Sequence, residues 1–169
     1  MPFVGLQEYV PDLVPAEIRS VKVVQAGAIA KSYTFMELFC NEKACDCRRV
    51  FVQVVSDDAG VRQPRATLSW GWEPEAFYRN WASFPLDAED LEELRGPGLV
   101  RFAPQSEESD AILAHFRRLL TDEAYAQRLI RHYRLFRQAA DRAPASETGA
   151  PHLNRAQRRA ARALRRTRR

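Results

Sequence analysis

Apolar and polar positions alternate over residues 33–40, where Tyr33, Phe35, Glu37 and Phe39 interleave with Thr34, Met36, Leu38 and Cys40. A period of two is that of an extended strand with two distinguishable faces. The same period returns from Arg49 to Val55, with Val50, Val52 and Val54 on one face and Phe51 and Val55 on the other. It returns again where Ala66, Leu68, Trp70 and Trp72 share a face. Ser56-Asp57-Asp58-Ala59-Gly60 between them is turn chemistry. Residues 48–56 and 64–72 are therefore expected to pair as an antiparallel hairpin about Asp57–Gly60, burying Val50, Val52, Val54, Leu68 and Trp70. The first twenty residues hold Pro2, Pro11 and Pro15 and read as an irregular lead-in with a helical turn after Pro15.

Beyond Pro74 the period lengthens. Pro74 suits the start of a short helix over Glu75–Trp81, because proline is tolerated in a first turn. Asp87 caps a second helix through Leu94, which Gly96-Pro97-Gly98 ends. Ser106, followed by two glutamates, opens a third with Ile112, Phe116, Leu119 and Leu120 on one stripe. Thr121-Asp122-Glu123 caps a fourth, whose stripe is Tyr125, Leu129, His132, Tyr133 and Phe136. Strands first and helices after make the class α+β: a small antiparallel sheet of two to four strands followed by packed helices.

Charge divides the chain. The 169 residues carry 26 basic and 22 acidic groups, a net charge of +4. The last sixteen residues hold eight arginines and no acid, so residues 1–153 carry 18 basic groups against 22 acidic ones, a net −4. The basic balance belongs to the tail. The expected organisation is a compact domain over 1–143, an Ala/Ser/Gly/Pro-rich linker over 144–153 and an arginine-rich tail over 154–169, disordered when free because its like charges repel. The N-terminus lacks the basic and apolar regions of a secretory signal. The uncharged run Val23–Ala30 is too short to span a bilayer. Three cysteines cannot all pair within one chain, which points to reducing surroundings and a cytoplasmic protein.

All three cysteines fall in Cys40-x4-Cys45-x-Cys47. Zinc takes four ligands at tetrahedral corners, with thiolates at about 2.3 Å among its preferred donors. A short loop that turns back on itself can bring three such sulfurs to one ion, although the one-residue spacing is tighter than the usual C-x2–4-C. Lys43, Arg48 and Arg49 offset the charge of a thiolate-rich site. His132, on the inward stripe of the last helix, is the candidate fourth ligand, and its alternative is a core histidine bonded to a backbone carbonyl. Inert buried thiols and a redox Cys45-x-Cys47 pair are the other readings of the cluster; the second lacks the C-x-x-C at a helix start that lowers a thiol pKa.

With the strand-leading Tyr33-Thr34-Phe35, the segment Phe39-Cys40 … Cys45-Asp46-Cys47-Arg48-Arg49, the later Trp70-Gly71-Trp72-Glu73 and the helical Arg131-His132-Tyr133-Arg134-Leu135-Phe136, the chain resembles a family of uncharacterised bacterial proteins over about residues 30–140. Some members end in a SEC-C motif, a small zinc-binding module. This chain departs there, with arginines and no cysteine after Leu153, so nothing of that module carries over. The resemblance implies a cytosolic bacterial protein with a cysteine site and implies no particular activity.

Other chemistry is sparse. The chain has no G-x-S-x-G, H-E-x-x-H, P-loop or Rossmann glycine pattern, and no deaminase H-x-E with P-C-x-x-C. Asp57-Asp58 and Glu92-Glu93 read as turn and solvated helix. Trp70, Trp72, Phe77, Tyr78 and Trp81 read as packing, with a base-stacking platform as the alternative. Arg155, Arg158, Arg159, Arg162, Arg165, Arg166, Arg168 and Arg169 can neutralise phosphates, so RNA, DNA or a ribonucleoprotein is the expected partner of the tail, with an acidic protein or membrane surface, or a solubilising role alone, as the alternatives. The leading expectation is a non-catalytic protein with a structural zinc site and a nucleic-acid-seeking tail. A cysteine-based enzyme or redox protein, and a protein–protein adaptor, are the alternatives.

Overall fold

The computed structural model describes residues 3–25, 28–58 and 61–143. They form an α+β fold: a six-stranded antiparallel sheet with five helices. The strands are β1 (Phe3–Gly5), β2 (Arg19–Gln25), β3 (Ala28–Cys40), β4 (Arg49–Asp58), β5 (Val61–Gly71) and β6 (Gly98–Leu99). The helices are α1 (Val14–Glu17), α2 (Glu75–Trp81), α3 (Ala88–Arg95), α4 (Ser109–Leu120) and α5 (Glu123–Arg142). None of these helices is long and apolar enough to cross a membrane. The candidate tail residues 154–169 and the linker before them lie outside the described residues.

The sheet runs β1-β3-β4-β5-β6, with β2 also on β3. β1 and β2 share one edge of β3. β1 pairs with Leu38–Cys40 and β2 with residues from Ala28 to Phe35, which leaves Met36 and Glu37 unpaired on that edge. This is a larger sheet than two to four strands. The additional strands are edge pieces: β1 and β6 are three and two residues long, β1 lies in the stretch expected to be irregular, and β2 begins at its end.

The central hairpin forms with Val52 opposite Leu68 and Val50 opposite Trp70. Its ladder runs further than expected, since Asp57 and Asp58 pair with Arg62 and Val61 and are strand rather than turn. A bulge between Val54 and Val55 leaves Arg65 as the extra residue, next to Pro64, which cannot donate to the ladder. Val50, Val52, Val54 and Leu68 are buried. Trp70 is only half-buried, because it sits one pair from the end of the ladder against the ring of Trp72, 5.6 Å away.

Helix boundaries follow the caps. Asp87 and Asp90 form a reciprocal capping box at the start of α3, and Asp122 accepts from the Ala124 N–H at the start of α5. Ser106 starts a turn three residues ahead of α4, its hydroxyl accepting from the Glu108 N–H at 3.2 Å. The apolar stripes of α4 and α5 cover the sheet face of Phe35, Phe39, Val50, Val52, Val54 and Leu68. Phe116, Leu129 and Phe136 are wholly enclosed there, each contributing roughly 1.5–3 kcal/mol of burial. A smaller cluster of Tyr78, Leu86 and Leu91 lies under α2 and α3.

Candidate metal centre

The cysteines lie where β3 ends and β4 begins. The connecting loop folds back on itself through two left-handed residues, Ala44 (φ 56°) and Arg48 (φ 45°), one on either side of Cys45-Asp46-Cys47. Each costs about 1–2 kcal/mol for a residue with a Cβ. Such a conformation persists only where the surroundings hold it, and here they do so from two sides.

From α5, the Asp141 carboxylate accepts from the Ala44 N–H at 3.2 Å, and Arg137 donates to the Cys40 carbonyl at 2.7 Å while pairing with the same Asp141. The Tyr133 oxygen accepts from the Arg48 N–H, and its hydroxyl donates to Asp46, both at 3.4 Å. From the α2 side, the Tyr78 hydroxyl donates to the Arg48 carbonyl at 2.9 Å. Arg48 itself forks onto Asp46 at 2.9 and 3.0 Å, reaches Glu73 at 3.0 Å and lies 4.5 Å over the ring of Phe77. Gly71 is required here. A Cβ at that position would stand 2.2 Å from the Tyr78 hydroxyl and 2.6 Å from the Leu94 carbonyl. The aromatic segment after β5 is therefore the wall of the cysteine loop, with Tyr78 fully enclosed.

The result is a convergent donor set. The three sulfurs lie within 4.8 Å of one another, close to the separation of about 4 Å that tetrahedral ligation at about 2.3 Å needs. Cys40 and Cys47 are buried, Cys45 is half-buried and none is in a disulfide. The three thiols share protons. Thiol donors from Cys45 and Cys47 pull Cys40 down to about 3, helped by the Glu42 N–H and the Arg137 charge. Donating to that thiolate pushes Cys45 up to about 11, and the same effect from Cys40 and then Cys45 raises Cys47 further. The cluster thus carries one thiolate readily and resists a second and third ionisation until a cation shares the charge.

Of the three cations expected to balance it, Arg49 alone is buried beside the cluster. Burial lowers its pKa and the nearby Cys47 sulfur opposes that. It is 3% exposed, one Nη donates to the Glu93 carbonyl at 3.2 Å, and its Nε has no partner. Arg48 is spent on Asp46 and Glu73, and Lys43 is exposed. The second buried cation is Arg137, which no local pattern around the cysteines announced.

His132 is not part of this group. It is fully buried, but its Nδ1 faces Glu37 Oε2 at 2.6 Å and its Nε2 faces Glu17 Oε2 at 3.0 Å. The cause is strand parity. Glu37 faces the helices together with Phe35 and Phe39, whereas Cys40 belongs to the alternate set on the other face, so the histidine that packs over Glu37 cannot reach the sulfurs. Among the described residues no histidine or carboxylate joins the three sulfurs. Glu17 and Glu37 are the polar residues the sequence reading did not connect to His132, and the alternation of β3 already set Glu37 facing inward.

Comparison with protein-family models, with curated proteins and with solved structures finds no match for this chain.

Proposed function

We propose that Cys40, Cys45 and Cys47 hold a zinc ion in a structural role, and that the arginine tail of this cytosolic bacterial protein contacts nucleic acid or a ribonucleoprotein. The observation that carries the metal reading is the convergence of three sulfurs in a loop strapped down from two elements. Buried cations at Arg49 and Arg137 suit a thiolate-rich complex, whose net charge with a divalent ion is negative. A fourth ligand would have to come from outside these three sulfurs, from water or a partner. The ion's chemistry in this role is cross-linking: it ties the end of β3 to the start of β4. The charge contrast between residues 1–153 and the tail supports the polyanion partner.

A cysteine nucleophile or redox pair is the second reading, and the lowered pKa of Cys40 speaks for it. Reactivity needs a thiolate that a substrate can reach. Here the ionised sulfur is the enclosed one, and the half-exposed Cys45 holds its proton. That combination favours ligation over attack.

Elemental analysis of untagged protein tests the metal, with about one zinc per chain expected and loss of zinc in Cys47→Ser. Zinc-free protein with a rapidly alkylated Cys45 would reverse the ranking. For the tail, the full chain is compared with a variant in which the eight arginines are glutamine, on mixed-sequence RNA and DNA at two salt concentrations. A log–log salt slope of about −0.7 per phosphate contact on single strands is expected of the parent only. Equal affinity of the two chains would refute the nucleic-acid role.

A further inference from the structure

The unpaired stretch of β3 between β1 and β2 opens into a cavity of about 250 Å³. Leu6, Val14, Ile18, Phe35 and Met36 form an apolar wall. Glu17, Glu37 and His132 form a polar floor, and Arg62 also lines the space. A cavity of about 150 Å³ accepts a benzene ring, so this one accepts a body of roughly eight carbon atoms.

Its charge follows from counting protons. Both nitrogens of His132 face carboxylate oxygens, at 2.6 and 3.0 Å, and each contact needs one hydrogen between the two atoms. Glu17 also accepts from Arg131, whose hydrogen bond holds its carboxyl below the usual range, so the hydrogen toward Glu17 sits on Nε2. The second is shared between Nδ1 and Glu37. Two glutamates with a doubly protonated ring leave one negative charge, and Arg131 cancels it. The Arg62 side chain has neither hydrogen bond nor ion pair among the described residues. The groups on and beside the polar floor therefore cancel, and Arg62 adds one positive charge to the lining, with Asp57 across the ladder from it. Ile18, an apolar side chain left 41% exposed on the cavity wall, would be covered by an occupant.

The geometry points to a binding site for a small apolar monocarboxylate, its chain against Leu6, Val14, Phe35 and Met36 and its carboxylate on Arg62. Each methylene added up to the capacity of the cavity tightens binding by about fourfold. An ammonium of equal length meets the positive charge of Arg62 and is rejected.

Calorimetric titration of the full-length protein with hexanoate, octanoate and octylammonium tests this. It is followed by NMR of 13C-methyl methionine, since the chain has only two methionines and Met36 reports the cavity. Expected are saturable octanoate binding with a shifted Met36 methyl, weaker hexanoate, and octylammonium weaker by at least about tenfold. Arg62→Gln, an exposed position that leaves folding untouched, should lower octanoate affinity by about tenfold and remove the discrimination. Octylammonium binding as tightly as octanoate would overturn the site. So would an unchanged affinity in Arg62→Gln, an absence of binding, or octanoate binding that leaves Met36 unmoved, which would place it on the arginine tail.

Discussion

Glu37 and Cys40 are three residues apart on β3, and His132 and Arg137 are five apart on α5, a rise of about 7.5 Å. Yet the two pairs belong to buried polar clusters built on different principles. At the first, Glu37, His132 and Glu17 meet in short hydrogen bonds, and Arg131 settles the remaining charge. At the second, three sulfurs face one another with more protons than a metal tolerates and more negative charge, once ionised, than Arg49 and Arg137 balance. The first cluster is complete within the chain. The second is complete only with a cation. A buried polar group is expensive when left unpaired and nearly neutral when paired, so the two ends should respond differently to loss of a member and to addition of metal.

The largest effect is expected at the self-contained end. His132→Ala leaves the Glu37 carboxylate enclosed with no partner, a loss of about 3–5 kcal/mol by comparison with other broken buried pairs. Chemical denaturation should show it, and added zinc should not restore it. Full rescue by zinc would mean that the two clusters are one site and would break the contrast.

Zinc itself is the next largest. At a thousandfold excess over Kd it should stabilise the parent by about 4 kcal/mol, and Cys47→Ser should be blind to it. The pH dependence has a definite sign. Near neutrality Cys40 is already ionised, while Cys45 and Cys47 hold protons. Uptake of zinc should therefore release about two protons, and affinity should rise with pH. Competition with a chromophoric chelator between about pH 6.5 and 8.5 measures that slope. A slope near zero would mean that the thiols are not the ligands.

Much of this architecture is legible in residue patterns. The alternation of Val50, Val52 and Val54 against Ala66 and Leu68 sets the hairpin, and Pro74, Asp87 and Asp122 mark helix starts that the fold keeps. What escapes is short or non-local. β1 and β6 are too brief to show a period. Val21 and Val23 do alternate with Ser20 and Lys22 in β2, but the run merges into an apolar stretch and follows three prolines. The site was half legible. The clustering of Cys40, Cys45 and Cys47 announces itself, whereas Arg137 and Tyr133 reach the loop from some ninety residues away. The stripe of α5 turns His132 inward correctly. Choosing its partner needed the parity of β3, which separates Glu37 from Cys40.

A third test asks whether the loop is held or merely placed. Gly71→Ala sets a methyl against the Tyr78 hydroxyl and the Leu94 carbonyl, which should cost about 1–3 kcal/mol. Because Tyr78 anchors the Arg48 carbonyl, zinc affinity should fall as well, while the Glu37–His132 contact stays intact. Unaltered zinc binding in Gly71→Ala would show that α5 alone positions the sulfurs.

The smallest expected effect is the acid dependence of the self-contained end. The hydrogen bond from Arg131 is the main reason the pKa of Glu17 lies below its usual 4.5, with His132 adding to it. For a carboxyl depressed on folding, the unfolded chain takes up protons first as pH falls. The stabilisation is therefore present above about pH 4.5 and is lost as pH drops through the lower folded value. Glu17 is partly exposed at the end of α1, so the change is modest. It should appear as a slightly steeper acid limb in the parent than in Glu17→Gln, read from denaturation midpoints between about pH 3 and 5. The cysteine end also contributes in that window, through Cys40 with its folded pKa of about 3, but that contribution is common to the parent and Glu17→Gln and cancels in their difference. Identical acid limbs for the parent and Glu17→Gln would mean that the Arg131 and His132 contacts do not favour the ionised carboxylate, and the proton count in the adjoining cavity would have to be redrawn.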